Sequence, residues 1–294
     1  TTIDNVLRYN VKIGGDHDIS ALAGYNQWYY HIYNVSASKL GLIDYTITTP
    51  GSALTPTTTS GSESDRAMQS FFGRVNYALK DRYLLTATLR RDASSRFNPD
   101  VRWGSFPAVA FAWRIAEEPF MQDVSLFSDL KLRLGWGITG QQDIGSFYPS
   151  QPTYLASDAQ AQYQFGNQFY TTVRPERYNP NLKWEETETR NIGLDFGFLS
   201  DRITGSIDVY EKRTEDLLAF IPNPPFFGFS NYDNYNIGKT KNQGIEIAAE
   251  VIPVKNDNLT FAVGGNITFQ NSEITDLVDG APDFGIETGG IAGG

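Results

Sequence analysis

There is no cysteine in the chain. Disulfide frameworks, thiolate zinc sites and cysteine-ligated iron–sulfur clusters are excluded with it. Histidine is nearly as scarce, with His17 and His31 the only two. Against 34 acidic residues stand 24 Lys and Arg, a formal net charge of −10. So acidic a chain lacks the basic face that displaces counterions from nucleic acid, and no local Lys/Arg cluster restores one. No apolar run approaches the roughly 18 residues of a membrane helix. Segments with helical periodicity are almost absent. Neither absence touches a membrane barrel, whose signal is alternation and not a continuous apolar run.

What is present favours strands and turns. The chain holds 16 Tyr, 19 Phe and 27 Gly, and aromatics make up 14% of it. Aromatic and β-branched residues favour strands, and Gly marks turns. Period-2 counting gives about ten strands. Phe71, Val75, Tyr77 and Leu79 alternate with Arg74 and Asn76. After a tight turn at Lys80-Asp81, Tyr83, Leu85, Ala87 and Leu89 alternate with Thr86, Thr88, Arg90 and Asp92. The same pattern runs through Leu130–Ile138, Ile192–Phe198, Ile203–Val209, Ile245–Val251 and Leu259–Phe269. Weaker strands fill 3–13, 18–33 and 104–115.

Links between these strands alternate in length. Short ones lie at 14–17, 80–82, 199–202 and 253–258. Long ones lie at 34–67, 141–183, 217–236 and from 273 on. The link at 94–103 belongs to the long series; that at 116–128 belongs to the short one and carries a helical turn. An up-and-down antiparallel sheet trimmed at one end and elaborated at the other gives this pattern, as outer-membrane barrels do. A soluble β-sandwich also alternates, but its strands average about 5–6 residues and its Greek-key crossings break the parity of the links. Several strands here exceed the roughly 9–11 residues that cross a bilayer at a tilt. The expected fold is therefore all-β: an antiparallel up-and-down transmembrane β-barrel segment. Leu85, Leu132, Leu194, Ile207 and Phe261 are expected on the lipid face. Arg74, Thr88, Arg133, Asp195 and Asp208 are expected inside.

The stretch "RRDASSRFNPDVRWGSFPAVAFAWRIAEE", residues 90–118, puts a charged loop between two such strands, expected at the outer, water-facing end. With "LKLRLGWGITGQQDIG", "NPNLKWEETETRNIGLDFGFL", "DVYEKRTEDLL" and "NIGKTKNQGIEI", spread over residues 70–275, it resembles the SusC/RagA class of TonB-dependent outer-membrane transporters. Ala93, Gln141 and Gln243 depart from the usual pattern. The resemblance implies a barrel of about 22 strands with a plugged lumen. It implies import of oligosaccharides or peptides across the bacterial outer membrane, not catalysis. It implies a SusD-like surface lipoprotein as lid, outer-membrane lipid around the wall, TonB reached through an N-terminal segment, and a possible dimer of transporter–lid pairs. Residues 1–294 are then part of the barrel domain, with the N-terminal plug and the C-terminal strands expected outside this chain. A β-rich surface adhesin or glycan-binding module without transport is the alternative.

Motifs for chemistry are sparse, and no cofactor is implied. His17 and His31 read as exposed residues, one in a turn and one near a strand end. Glu185, Glu186 and Glu188 could suggest a glycosidase pair but read as a barrel-strand motif. Asp92, Asn98 and Asp100 offer oxygen ligands to Ca²⁺, though a solvated charged loop is the simpler reading. Trp28, Tyr29, Tyr30, Trp103 and Phe106 suit an interfacial aromatic girdle. Candidate ligand or lid contacts are the aromatics within long links: Tyr163, Phe165 and Tyr170, and Phe226, Phe227, Phe229, Tyr232 and Tyr235. The second group follows Pro222, Pro224 and Pro225, which stiffen the backbone. Burying each exposed Phe is worth roughly 1.5–3 kcal/mol, so these rings are expected to pack against loops, lid or ligand.

Overall fold

The computed structural model describes residues 1–42, 53–157, 161–176, 178–222 and 232–276. Ten long strands build one antiparallel sheet: β1 (Thr2–Ile13), β2 (His17–Leu42), β3 (Ala53–Leu79), β4 (Tyr83–Ser94), β5 (Trp103–Arg114) and β6 (Phe127–Gln141) come first. Four short strands follow, β7 (Tyr154–Ala156), β8 (Tyr163–Phe165), β9 (Gln168–Tyr170) and β10 (Val173–Pro175). Then come β11 (Glu185–Phe198), β12 (Ile203–Glu215), β13 (Leu218–Pro222), β14 (Tyr232–Asn236), β15 (Lys239–Lys255) and β16 (Thr260–Asp276). In the large sheet every neighbour in space is the next long strand in sequence. The meander expected from link parity is therefore the observed one.

Register sorts the residues onto two faces, because paired residues share a face. One row of partners runs Val11, Ile19, Tyr77, Leu85, Phe111, Leu134, Ile192, Val209, Ile245, Phe269 across all ten strands. Every member is apolar or aromatic. The adjacent row on the opposite face runs Asn10, Ser20, Asn76, Thr86, Ala110, Gly135, Asn191, Tyr210, Gly244, Gln270. Every member there is polar or small. At Tyr77 the apolar row is two residues from the strand end at Leu79, and at Ile192 it is six from Phe198. That drift is the stagger that tilted barrel strands require. Apolar side chains of this row are exposed or half-exposed, Ile192 at 57% and Phe269 at 59%. In water such a continuous face would drive aggregation; in lipid it is the ordinary surface.

The polar face carries charge in compensated groups. Arg133 Nη2 donates to Asp195 Oδ1 at 2.7 Å and to Asp208 Oδ2 at 2.9 Å, and Lys131 Nζ lies 3.5 Å from Asp195. All five residues expected inside are thus on this face, and the five expected outside are on the other.

At one rim the turns are tight. Lys80 and Asp81 both have positive φ, 53° each, and Arg82 N–H donates to Leu79 O at 3.0 Å. This is the mirror-image turn whose twist matches antiparallel strands. The β5–β6 link holds two 3₁₀ turns, Ile115–Glu117 and Pro119–Met121, as its sequence suggested. Between them the Glu118 carboxylate accepts from Tyr83 Oη at 2.5 Å, Trp113 Nε1 at 3.0 Å and Arg82 Nη1 at 3.3 Å. The Tyr83 hydroxyl first, then the Trp113 indole, holds the Glu118 carboxyl below its usual range. A depressed carboxyl stabilises this rim above its ordinary titration range and loses that contribution as pH falls through the lowered value. Acidification is therefore expected to shift tryptophan emission in the wild type through Trp113. Glu118→Gln should abolish that acid-dependent shift, and a shift surviving in Glu118→Gln would assign it elsewhere.

Two expectations need correction. The link at 34–67 is mostly strand: β2 and β3 pair continuously from His17–Leu79 outward to Asn34–Ser62 and beyond. Trp28, Tyr29 and Tyr30 therefore lie within β2 and not at its end. This arm is rich in Ser and Thr on both faces, so it carries no apolar alternation to betray its pairing. The charged loop after β4 is solvated only in part. Arg96 is 2% exposed and Phe97 1% because other loops fold over them, and Asp92 at the end of β4 is 5% exposed, while Asn98 is half-buried and Asp100 exposed.

Candidate functional site at the loop-bearing rim

The rim opposite the tight turns carries the 95–102, 142–184 and 216–238 links, and its packing begins at β4 and β5. Asp92, Arg90 and Ser70 lie on the polar face, where Arg90 donates to Asp92 Oδ2 at 2.8 Å and to Ser70 Oγ at 2.9 Å. Above them Phe97, Phe106, Leu182 and Trp184 form a buried apolar cluster. Phe106 meets Trp184 edge-on with ring centroids 5.2 Å apart, and Phe97 is tilted against Trp184 at 5.4 Å. The Trp184 indole donates to Arg102 O at 2.9 Å. Gly104 and Gly140 make room for the Phe106 ring: a Cβ on them would lie 2.4 Å and 2.1 Å from its Cζ.

Arg96 ties a second loop to this cluster. Its Nη1 donates to Gln142 O at 2.9 Å and to Asp143 Oδ1 at 2.8 Å, and Ser150 Oγ donates to Arg96 O at 2.7 Å. The Arg96 guanidinium and then the Gly145 N–H hold the Asp143 carboxyl below its ordinary range. A third loop joins through Asn236, which accepts from Lys183 N and donates to Lys183 O, both at 2.8 Å. The stretches around 96, 143, 184 and 236 that looked like separate motifs are thus the mutual contacts of three links. Asp92 is buried in this packing, with Oδ2 accepting from Arg90 and Oδ1 without a hydrogen-bond partner, so the solvated-loop reading does not hold at Asp92.

Beyond the cluster the rim projects aromatic arms. β7 pairs with β10 and β8 with β9, so the 141–183 link carries two small hairpins. Tyr163 stands directly opposite Tyr170. Tyr163, Phe165 and Tyr170 are 61%, 70% and 50% exposed. They are brought together, and they face solvent instead of packing on the cluster. β13 pairs with β14, setting Tyr235 opposite Ala219 and Tyr232 opposite Pro222; Tyr235 is half-buried. Phe226, Phe227 and Phe229 lie outside the described residues.

The remaining candidates sort cleanly. Glu188 accepts from Trp136 Nε1 at 2.7 Å and from Arg190 at 2.9 Å, and Glu185 Oε2 accepts from Leu218 N–H at 2.9 Å. These contacts use the carboxylates structurally, in keeping with a strand motif. His17 begins β2 and bonds Tyr77 Oη at 2.7 Å, so it is not in the turn. His31 lies fourteen residues further along the same strand, and the two cannot converge on one ion. His31 instead meets Asp65 and Glu63, a grouping that period-2 counting does not reach.

A family model described as "TonB dependent receptor-like, beta-barrel" matches residues 1–291. The chain is 42% identical over 286 residues to the TonB-dependent receptor SusC of Bacteroides thetaiotaomicron, covering 97% of this chain and 28% of that protein. A TonB-dependent receptor of Formosa agariphila is 34% identical over 294 residues, 98% of this chain and 27% of the relative. Among solved structures, the RagAB peptide importer in its closed-closed state superposes with a TM-score of 0.84 at 26% identity, over 95% of this chain and 30% of that one. The outer membrane transporter YddB of Escherichia coli shares the fold alone, with a TM-score of 0.61 at 10% identity. The chain spans less than a third of the length of the curated relatives it matches.

Proposed function

This chain belongs to the TonB-dependent receptor-like β-barrel family, and we propose that it forms ten strands of the wall of an active importer of large nutrients, oligosaccharide or peptide. It is an outer-membrane protein of the SusC/RagA class. The apolar rows of the sheet face lipid and the polar rows face the lumen. The tight-turn rim is periplasmic and the loop-bearing rim extracellular. A receptor-type wall does not call for catalytic groups.

The observation that carries the proposal is identity of 42% to SusC sustained over 97% of the chain, together with loop motifs that pack on one another. RagAB is a peptide importer, which supports peptide as one cargo class; oligosaccharide rests on the class resemblance. Lys131 and Asp195 of the inward ion network line a concavity of about 1210 Å³, which suits a plug domain supplied outside these residues. TonB then contacts the protein through a segment outside them as well. Solvent-facing Tyr163, Phe165 and Tyr170 suit stacking on sugar or packing against a SusD-like lipoprotein lid, and Phe226, Phe227, Phe229, Tyr232 and Tyr235 are assigned the same role. Transporter–lid pairs would assemble as dimers.

Two sets of variants test the assignment: Phe226, Phe227 and Phe229 to Ser together, and Tyr163, Phe165 and Tyr170 to Ser together. Both should reduce lid co-purification and nutrient uptake while the barrel's thermal transition stays in place. Unchanged association and uptake would leave those rings as loop packing only. Binding retained without any uptake by the wild type would favour the adhesin reading.

A further inference from the structure

We infer that His31, Glu63 and Asp65 form a binding site for a zinc-class divalent cation on the extracellular arm made by β2 and β3. The backbone register sets the three together. His31 stands directly opposite Asp65, and Glu63, two residues along β3, is opposite Tyr33. Residues two apart on a strand share a face, so all three side chains project on one side of the arm. One ligand atom from each lies within 4.8 Å of the other two. His31 Nδ1 is 2.7 Å from Asp65 Oδ1, and His31 Nε2 is 3.8 Å from Glu63 Oε1.

A tetrahedral ion with bonds of about 2.0–2.2 Å holds its ligands roughly 3.4 Å apart. Asp65 meets Nδ1 and Glu63 meets Nε2, so an ion on Nδ1 needs Glu63, whose side chain is 65% exposed, to rotate toward that nitrogen and the His31–Asp65 contact to widen from 2.7 Å. Both are side-chain movements that leave the strands in place. The ion would take the place of the proton shared by His31 and Asp65. One nitrogen and two carboxylate oxygens suit zinc, cobalt or nickel; calcium and magnesium prefer oxygen alone. A fourth position stays open to water.

The surroundings support the same assignment. Tyr29 Oη donates to Asp65 Oδ1, which fixes the carboxylate's orientation as an outer partner does in metal sites. The Asp65 N–H donates to Tyr148 Oη at 2.8 Å, anchoring the ligand-bearing strand to the packed loop beside it. The nearest basic side chain in sequence is turned away: the Arg66 guanidinium lies over the rings of Trp28, Tyr30 and Phe147 at 5.1, 5.7 and 5.8 Å. Among the described ion pairs, His31 alone joins Glu63 or Asp65. His31 is fourteen residues from the rim residue His17. At about 3.3 Å per residue and a tilt near 40°, that is roughly 35 Å of height, above an apolar band about 25 Å tall. The site therefore faces the medium and not lipid.

The test uses the transporter purified in detergent without a polyhistidine tag. Zinc is titrated calorimetrically, and cobalt is followed by its visible d–d absorption. His31→Ala, Glu63→Gln and Asp65→Asn should each weaken zinc binding by about tenfold or more and alter the cobalt spectrum, and Tyr29→Phe should weaken it severalfold. His17→Ala should change neither, and heat-modifiable gel migration confirms that each variant is folded. A folded His31→Ala protein that binds zinc as tightly as wild type, with the same cobalt spectrum, would overturn the proposal. The trio would then be an exposed ion pair only.

Discussion

Replacing Leu194 by Arg is expected to destabilise the folded barrel by about 2–4 kcal/mol, the cost of a basic side chain on the lipid face near mid-bilayer. Leu194 sits in a row with Leu132, Ile207, Ile247 and Ile267, so no polar neighbour on that face can receive the guanidinium. The upper edge of the apolar band on β11 falls between Ile192 and Arg190, where Trp136 and Glu188 mark the interface. The lower edge is Phe198, which meets Phe127 with ring centroids 4.9 Å apart. Leu194 lies between those limits, too deep for an arginine to reach either interface without strain. Thr204 supplies the control. It pairs with Gly197 and Glu250 on the polar face, so Thr204→Arg should cost much less. Urea titrations of both variants refolded into bilayers measure the difference. Equal costs would mean that the two faces have been assigned wrongly.

That face assignment is legible in the amino-acid pattern alone, and the reason is physical. Where one face meets lipid and the other water, the period of two is imposed on every strand. The alternation at Phe71–Leu89 and Ile192–Val209 can hardly mean anything else once strand length exceeds that of a sandwich strand. Beyond the bilayer that constraint ends. The β2–β3 arm has water on both sides, so Ser and Thr serve equally well on either face and the pairing leaves no pattern. The register nevertheless propagates: each step outward from His17–Leu79 advances one residue on each strand and reaches His31–Asp65. Continuing the hairpin by that rule exposes the histidine–carboxylate group, whose histidine is 34 residues from Asp65 in sequence. The burial of Arg96 is hidden for a different reason. It depends on Asp143 and Ser150 arriving from another link, and local sequence carries no record of which loops meet.

Truncating Trp184 to Ala should open the extracellular packing while leaving the wall intact. The side chain is 5% exposed, and it joins Phe97 of one loop to Phe106 of β5 by ring contact. Deleting a buried Trp costs about 3–5 kcal/mol, through lost transfer energy and the cavity left behind. Collapse into that cavity is resisted from below, because the Phe106 ring already occupies the space over Gly104 and Gly140. The same variant orphans Arg102 O, the acceptor of the indole N–H. Trp184→Phe separates the two effects. It keeps most of the apolar contact and loses the hydrogen bond, so a smaller penalty of about 1–3 kcal/mol is expected. No residue of the cluster belongs to the apolar row across the sheet, so heat-modifiable migration should persist in both variants. Hydrogen exchange should instead rise at 95–102 and 142–151, more in Trp184→Ala than in Trp184→Phe. Water would then reach the Arg96 guanidinium, whose Nε is buried without a partner, and the loops would separate at their ionic tie. Unchanged exchange at 95–102 in a folded Trp184→Ala protein would show that the loops hold one another without the indole.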